Sequence, residues 1–279
     1  MRRCRNAVLA TALAISAVVA AQDAPASPDA ILAAARQALG GDKRLAEVKT
    51  LVTTGRTRQI RADNLIPIEF EISCELPDKY IRRDEFPAQD AGPATAGFNG
   101  TLLIQIPPPP APAIGARLNG LKQDFARLML GLFAGSFRSF PLTFTYAGIA
   151  EAPQGQADVL DVKGPADFAA QFFVSKTTHL PIMVSWRAPA AGPPRGGPPS
   201  GPVPPPSPAA PARGSPANPA GGQNPPVETR LYFADYRDVD GLIWPFRIRR
   251  AIGADTVEET TFDRFRVNAR IDPKKFEVK

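Results

Sequence analysis

The clearest pattern along the chain alternates apolar and polar residues between positions 66 and 75. Ile66, Ile68, Phe70, Ile72 and Cys74 are apolar, and mostly acidic residues stand between them. A period of two predicts a β-strand with one face in a core and the other in solvent. The pattern places Cys74 on the buried face, where the role of a small hydrophobic residue is favoured over that of a reactive thiol.

Short segments with the same period recur along most of the chain. Further strands are predicted at 79–86, 101–106, 142–146, 159–162, 168–174, 182–186, 230–236, 245–248 and 257–265, after a first strand near Leu51. Turn residues separate these segments, which is typical of antiparallel neighbours. We therefore expect a mainly β (α+β) protein whose antiparallel sheet is strongly curved or nearly closed.

Two segments have a helical period instead. Ser27-Pro28-Asp29 is a helix start, because serine caps, proline fits the first turn and aspartate complements the dipole, and Gly40-Gly41 ends that helix. A longer helix is predicted over 118–134, with Lys122, Gln123, Asp124 and Arg127 on its polar face. Its second half, 128–133, is apolar almost all round. Core packing is the favoured interpretation, and a lid over an apolar space is the alternative.

The first 21 residues predict an export signal. Three arginines precede an apolar run over 7–21 that is too short for a typical membrane-spanning helix. Cleavage after Ala21 is therefore favoured over a membrane anchor, and the mature protein is expected in the periplasm without a transmembrane span. The 279-residue chain has a net charge of +6, of which +3 remains after cleavage, so nucleic-acid binding has little support. Cleavage also removes Cys4, which excludes a disulfide framework.

Proline is concentrated in one segment. Between 188 and 227, 15 of 40 residues are proline and seven are glycine. The segment has too few large apolar side chains for their burial to offset the entropy lost on ordering. We expect a disordered Pro/Gly-rich loop inserted into a single domain of residues 22–279. The loop would lie at the tip of a hairpin formed by 182–186 and 230–236, where a long insertion is tolerated.

Residues with catalytic potential are sparse. The single histidine, His179, precedes Leu-Pro in a predicted turn, and the chain has no nucleophile elbow, phosphate loop or dinucleotide fingerprint. Glu69, Glu71 and Glu75 share one strand face, for which the solvent side of the sheet is favoured over a glycosidase acid–base pair or calcium ligands. An outer, solvent-facing position is likewise expected for three arginines: Arg247, Arg249 and Arg250. We therefore predict no catalytic residue, no metal site and no cofactor, and hence no enzyme.

Three segments together resemble the LolA/LolB-like group of bacterial envelope proteins. They are the opening helix with Gly40-Gly41 and 45–51, the strand, Asp-Gly turn and strand over 233–248, and the ending Ile-Asp-Pro-Lys-Lys-Phe over 271–276. The chain is more similar to uncharacterised relatives in that group than to the lipoprotein carriers, from which the proline insert departs. The resemblance implies an unclosed, strongly curved antiparallel β-barrel with helices covering its open side. It also implies an apolar cavity that holds acyl chains.

The expected function is that of an exported, non-enzymatic carrier or sensor of an apolar ligand, such as a lipid or a lipoprotein acyl chain. The candidate cavity-lining residues are Phe70, Ile72, Leu128, Leu132, Phe144, Trp186, Phe233 and Phe246, all of which ordinary core packing also explains. Two alternatives stay open. One is an envelope interaction module that binds a protein partner through the proline-rich loop, and the other is a hydrolase that uses the clustered carboxylates.

Overall fold

The described part of the molecule leaves out both ends and the proline insert. The computed structural model describes residues 27–61, 64–87, 92–152, 155–188 and 226–277. The signal peptide predicted over 1–21 and nearly all of the predicted proline-rich loop, 189–225, lie outside these residues. Within the described ranges, no helix has the length and apolar character needed to cross a membrane.

A single antiparallel sheet forms the body of the protein. Its strands are β1 (Thr50–Arg61), β2 (Asn64–Glu75), β3 (Lys79–Glu85), β4 (Ala94–Asn99), β5 (Leu102–Ile106), β6 (Thr143–Ala152), β7 (Gly155–Gly164), β8 (Phe168–Ser175), β9 (Pro181–Ala188), β10 (Val227–Val239), β11 (Leu242–Ile252) and β12 (Asp255–Val267). The order is β5-β4-β3-β2-β1-β12-β11-β10-β9-β8-β7-β6, so the sheet stays unclosed between its edge strands β5 and β6. The mainly β, unclosed architecture is as predicted.

In the described ranges three α-helices accompany the sheet: α1 (Pro28–Ala38), α2 (Asp42–Glu47) and α3 (Ile114–Phe133). Two short 3-10 helices lie at Ala111–Ala113 and Pro273–Phe276. The predicted start of α1 is confirmed, because the Ser27 side chain accepts a hydrogen bond from the Ala30 amide at 3.2 Å. Helix α3 follows β5 in the chain and precedes β6. It contacts β4 and β5 near one edge of the sheet and also β9 and β11 in its other half, so it lies across the open side.

The side of the sheet that faces α3 is called the inner face. Gly131 of α3 lies so close to Phe233 of β10 that a Cβ atom at position 131 would be 2.2 Å from the Cε1 atom of the ring. Because no ligand fits between atoms at that distance, α3 packs directly on the sheet at this point. The apolar second half of the helix is therefore buried in the core, as the favoured interpretation predicted.

Aromatic rings fill much of the space around this contact. Trp244 is fully buried, stacks on Phe265 with ring centroids 5.6 Å apart, and meets Phe133 of α3 edge-to-face at 5.4 Å. Further ring contacts run from Phe265 to Phe262 and Phe246. Each such pair contributes about 0.5–1.5 kcal/mol beyond the burial of its area, so this network ties α3 to β11 and β12.

Two predictions about charged residues were wrong. Arg127, expected on the polar face of the long helix, is only 6% exposed. Its guanidinium lies 4.2 Å from the centre of the Trp186 ring and forms an ion pair with Asp124 at 2.9 Å. Arg250 cannot share the outer face with Arg249, because successive residues of a strand point to opposite sides. It pairs with Glu258 in the register of β11 and β12, and its buried Nε atom has no hydrogen-bond partner in the described ranges.

Strand β4 was not predicted from the sequence. Apart from Phe98, its residues, Ala94–Asn99, are small or polar, and they lack a regular alternation of apolar and polar types. The structure explains one of them, because a Cβ atom at Gly97 would lie 2.1 Å from the backbone oxygen of Tyr80 on β3. Glycine is required there by the close approach of two strands, and it weakens the strand pattern that sequence reasoning depends on.

The contact between α3 and β10 predicts opposite effects for two glycines of one helix. Gly131→Ala adds a methyl group that overlaps with the Phe233 ring, at 2.2 Å from its Cε1 atom. We therefore expect the free energy of unfolding to fall by about 1–3 kcal/mol. Gly120→Ala is the matched control, because a Cβ atom there meets nothing within 4 Å. It should raise the free energy by up to about 1 kcal/mol through helix propensity. Urea unfolding measures both, and equal effects of the two variants would contradict the packing of α3 on β10.

Candidate functional site

The eight predicted lining residues all belong to the hydrophobic core of the molecule. Phe70, Ile72, Leu132, Phe233 and Phe246 are buried, and three others, Leu128, Phe144 and Trp186, are partly buried and packed against the same core. The Phe233 ring is in contact with Gly131, and the Trp186 ring with the Arg127 guanidinium. The structure thus brings the eight together in one core. Leu128 and Leu132 belong to α3, and Phe233 and Trp186 contact that helix directly. That they line a ligand cavity stays a prediction.

Arg127 is the most deeply buried charge beside these residues. Its guanidinium lies over the rings of Trp186 and Phe168 at 4.2 and 5.2 Å, and it is hydrogen-bonded to Asp124 and Gln123 of its own helix. Burial lowers the pKa of the Arg127 guanidinium, and the Asp124 carboxylate acts in the opposite direction. Because the cation lies over the Trp186 ring and is paired with Asp124 of its own helix, it links α3 to β9.

A cavity of about 790 Å³ opens on the outer face of the sheet, beside the edge strand β5. Register places Ile81, Ile104 and Ile106 on this face, since Ile81 lies across from Gly97, Gly97 across from Ile104, and Ile106 lies two residues further along β5. Other apolar lining comes from β5, from the segment that follows it and from the first residue of α3: Leu102, Leu103, Pro108, Pro109 and Ile114. The cavity is therefore mostly aliphatic.

The segment that follows β12 closes one side of this cavity. Asp272, Lys274, Lys275 and Glu277 line it, and Phe276 anchors the segment with only 2% of its surface exposed. The Phe276 carbonyl accepts a hydrogen bond from Asn99 at 3.2 Å, and Lys79 lies over its ring. Lys275 also forms an ion pair with Glu71 on β2. Charged groups thus border an aliphatic space on the side of the C-terminal segment.

A second, polar cavity of about 500 Å³ adjoins the first. The two share Glu71, Arg83 and Lys275 as lining residues. Glu69 and Glu71 point outward, as predicted. The polar cavity lies beside them, however, so the hydrolase alternative has to be judged from the partners of the carboxylates in it. Most of its carboxylates are ion-paired: Glu71 with Lys275, Glu85 with Arg83 and Asp263 with Arg56. Glycoside cleavage requires one protonated carboxyl group and one carboxylate. Three of the four carboxylates in this cleft are instead engaged with neighbouring cations.

The remaining candidates for chemistry have structural positions. His179 lies with a φ of 57° in the turn between β8 and β9, where a turn was predicted. Cys74 is fully buried on the inner face, as predicted, and burial raises the pKa of its thiol to about 12. No group of three or more histidine, cysteine, aspartate and glutamate residues positioned for a metal ion occurs in the described part of the chain.

Sequence reasoning missed the outer cavity because its parts are distant in the chain. Ile81, Ile104 and Lys275 come from three separate segments that meet only through strand pairing and the return of the C-terminal segment. One signal was present in the sequence. Leu102, Ile106 and Ile114 are large aliphatic residues that stay exposed, whereas exposed edge strands usually carry charged residues or proline.

These features define a class of fold: an unclosed antiparallel β-barrel with one buried helix across its open side. No protein-family model and no curated protein sequence matches the chain. Among solved structures it is similar to a LolA superfamily protein from Nitrosomonas europaea, with a TM-score of 0.52, 9% identity, and coverage of 91% of this chain and 98% of that one. The predicted resemblance to the LolA-like fold is thereby confirmed.

Two further solved structures match over similar lengths. One is a DUF1329 family protein from Desulfovibrio piger, with a TM-score of 0.47, 9% identity, and coverage of 90% of this chain and 98% of that one. The other is a putative outer membrane lipoprotein-sorting protein domain from Vibrio parahaemolyticus, with a TM-score of 0.46, 8% identity, and coverage of 89% and 97%.

The C-terminal wall of the outer cavity gives a stability prediction. Phe276→Ala removes a buried ring, so the free energy of unfolding should fall by about 3 kcal/mol. Lys274→Ala, two residues away and exposed, is the matched control and should change it by less than about 0.5 kcal/mol. Thermal and urea unfolding measure the difference. Equal stability of the two variants would show that the segment does not pack on the sheet.

The buried thiol predicts a slow reaction. With Cys4 replaced by serine, Cys74 should resist a maleimide at pH 8 in the folded protein, because it is both inaccessible and protonated below its raised pKa of about 12. The same protein in guanidinium chloride should be labelled completely, which mass spectrometry can follow. Rapid labelling of the folded protein would instead indicate a reactive thiol.

Proposed function

We propose that this chain is an exported, non-enzymatic carrier or sensor that binds an apolar ligand, such as a lipid or a lipoprotein acyl chain, in the bacterial cell envelope. The observation that carries the proposal is the 790 Å³ aliphatic cavity on the outer face. Its volume lies within the range of about 300–1,000 Å³ that is usual for sites of small organic ligands. The signal peptide predicted from the sequence and the LolA-like fold support the same conclusion.

The lining of the cavity indicates how such a ligand would be held. An aliphatic chain would lie against Ile81, Ile104 and Ile114, where its burial contributes about 0.8 kcal/mol per methylene group. A polar end would remain beside Arg83 and Lys275, at the boundary with the polar cavity. The arrangement of an apolar space next to a charged one fits an amphiphilic molecule better than a hydrocarbon without a head group.

The core that contains the eight predicted lining residues is the second place where an acyl chain could bind. For a ligand to reach them, α3 must separate from β10, because Gly131 and Phe233 are in contact. This route requires a conformational change, whereas the outer cavity is already open. The proposal therefore places the ligand in the outer cavity and leaves the inner face as the alternative that the experiment distinguishes.

Ligand binding is tested with native protein and a fluorescent fatty acid. Native mass spectrometry of the protein from its own cell envelope should detect a bound lipid, and the purified protein should bind cis-parinaric acid. Leu102→Asn combined with Ile106→Asn should weaken binding about tenfold, because two aliphatic walls of the cavity become polar. The matched control, Leu65→Asn with Ile149→Asn, changes two equally exposed aliphatic residues outside the cavity and should bind normally.

The possible outcomes separate the function from its location. Absence of any lipid, together with no binding of the fatty acid, would refute a carrier or sensor. Normal binding by the Leu102 and Ile106 double variant would move the ligand to the inner face. In that case binding should depend on the core residues around α3.

A further inference from the structure

The outer face of the central strands carries six arginines, which we call the arginine wall. They are Arg56, Arg58, Arg247, Arg249, Arg264 and Arg266. The register of β1, β12 and β11 places Arg58 across from Glu259 and Glu259 across from Arg249, and one row further on Arg56 and Arg247 both face Thr261. Residues directly opposite one another in a sheet point to the same side. Six positive charges therefore share one surface with four carboxylates, Glu69, Glu71, Glu259 and Asp263, so the positive charge is in excess there.

Several of these cations have free hydrogen-bonding capacity. Arg56 is paired with Asp263 at 3.1 Å, and Arg249 stacks on Tyr232 at 4.2 Å. Arg58 and Arg247 have neither a hydrogen bond nor an ion pair with any residue in the described ranges. Together with Arg56, Thr261 and Glu259 they line an outer-face depression of about 340 Å³. The depression is large enough for a phosphate-sized anion, and its two unpaired guanidinium groups suit phosphate oxygens.

An exposed aliphatic residue adjoins the arginine wall. Register places Pro67 across from Arg58, and Leu65 across from Ile60 in the next outer-face row. Leu65 is 63% exposed at the hairpin between β1 and β2. The surface thus combines several arginines with an apolar side chain at one end, which is the composition of surfaces that bind at the interface of a bilayer.

We propose that the arginine wall docks the protein onto a bilayer that contains anionic lipids, with the head-group phosphates at Arg58 and Arg247 and Leu65 in the interfacial region. Each basic residue near an anionic membrane surface contributes roughly 1 kcal/mol of attraction. A soluble polyanion would use the arginines but would gain nothing from Leu65, which favours the bilayer as the partner. This inference does not depend on which ligand the protein carries.

Vesicle flotation tests the proposal with the full mature protein. The protein should float with vesicles of phosphatidylglycerol and phosphatidylcholine but not with phosphatidylcholine alone, and added salt should release it. Arg58→Gln with Arg247→Gln should weaken binding about 30-fold, the factor for two cations. The matched control, Lys43→Gln with Arg138→Gln, removes two exposed cations elsewhere and should bind as the native protein does.

A variant of the exposed leucine distinguishes a bilayer from a soluble polyanion as the partner. Leu65→Asn should reduce vesicle binding about tenfold and leave binding to polyglutamate unchanged. All the substituted side chains are exposed, so circular dichroism should show the native fold for each variant. The proposal is overturned if phosphatidylcholine vesicles bind equally well, if both double variants lose binding to the same extent, or if Leu65→Asn binds vesicles normally.

Discussion

The close packing of α3 on the inner face of the sheet is the constraint on which the rest of the structure depends. Because the sheet is unclosed, its apolar inner face needs a cover, and the nearly uniformly apolar second half of α3 supplies it. Gly131 permits the approach to Phe233, and the stacked rings of Trp244 and Phe265 extend the contact across two strands. The inner face is therefore occupied by the protein's own side chains where α3 crosses it.

With the inner face occupied where α3 crosses it, the three larger open spaces described here, of about 790, 500 and 340 Å³, lie on the outer side of the sheet. There the strands divide into two zones: β3 to β5 with the C-terminal segment form the aliphatic cavity, and β1, β11 and β12 carry the arginines. Arg56 belongs to the arginine wall and also lines the polar cavity, so the two zones meet. A molecule held in the cavity would lie within the positive field of the neighbouring strands.

Periodicity was sufficient for most of the fold because the signal is local. Alternation at 66–75 identified β2 and its buried face, and the spacing of apolar residues identified α3. Periodicity failed at β4, where only glycine fits at position 97 beside the backbone of β3. It also failed at Arg127, which is buried against Trp186, 59 positions later in the chain. The outer cavity was missed for the same reason, since its walls come together only in the folded sheet.

The pairing of β1 with β12 joins the first strand of the sheet to the last one made. Until the residues near 260 are available, one edge of β1 has no partner, and its row of backbone amides and carbonyls is open to any extended chain nearby. Contacts of such long sequence separation form slowly. The protein thus passes through a period in which β1 to β5 can associate with the wrong strand, and a holding factor during biogenesis would protect this edge more than any other.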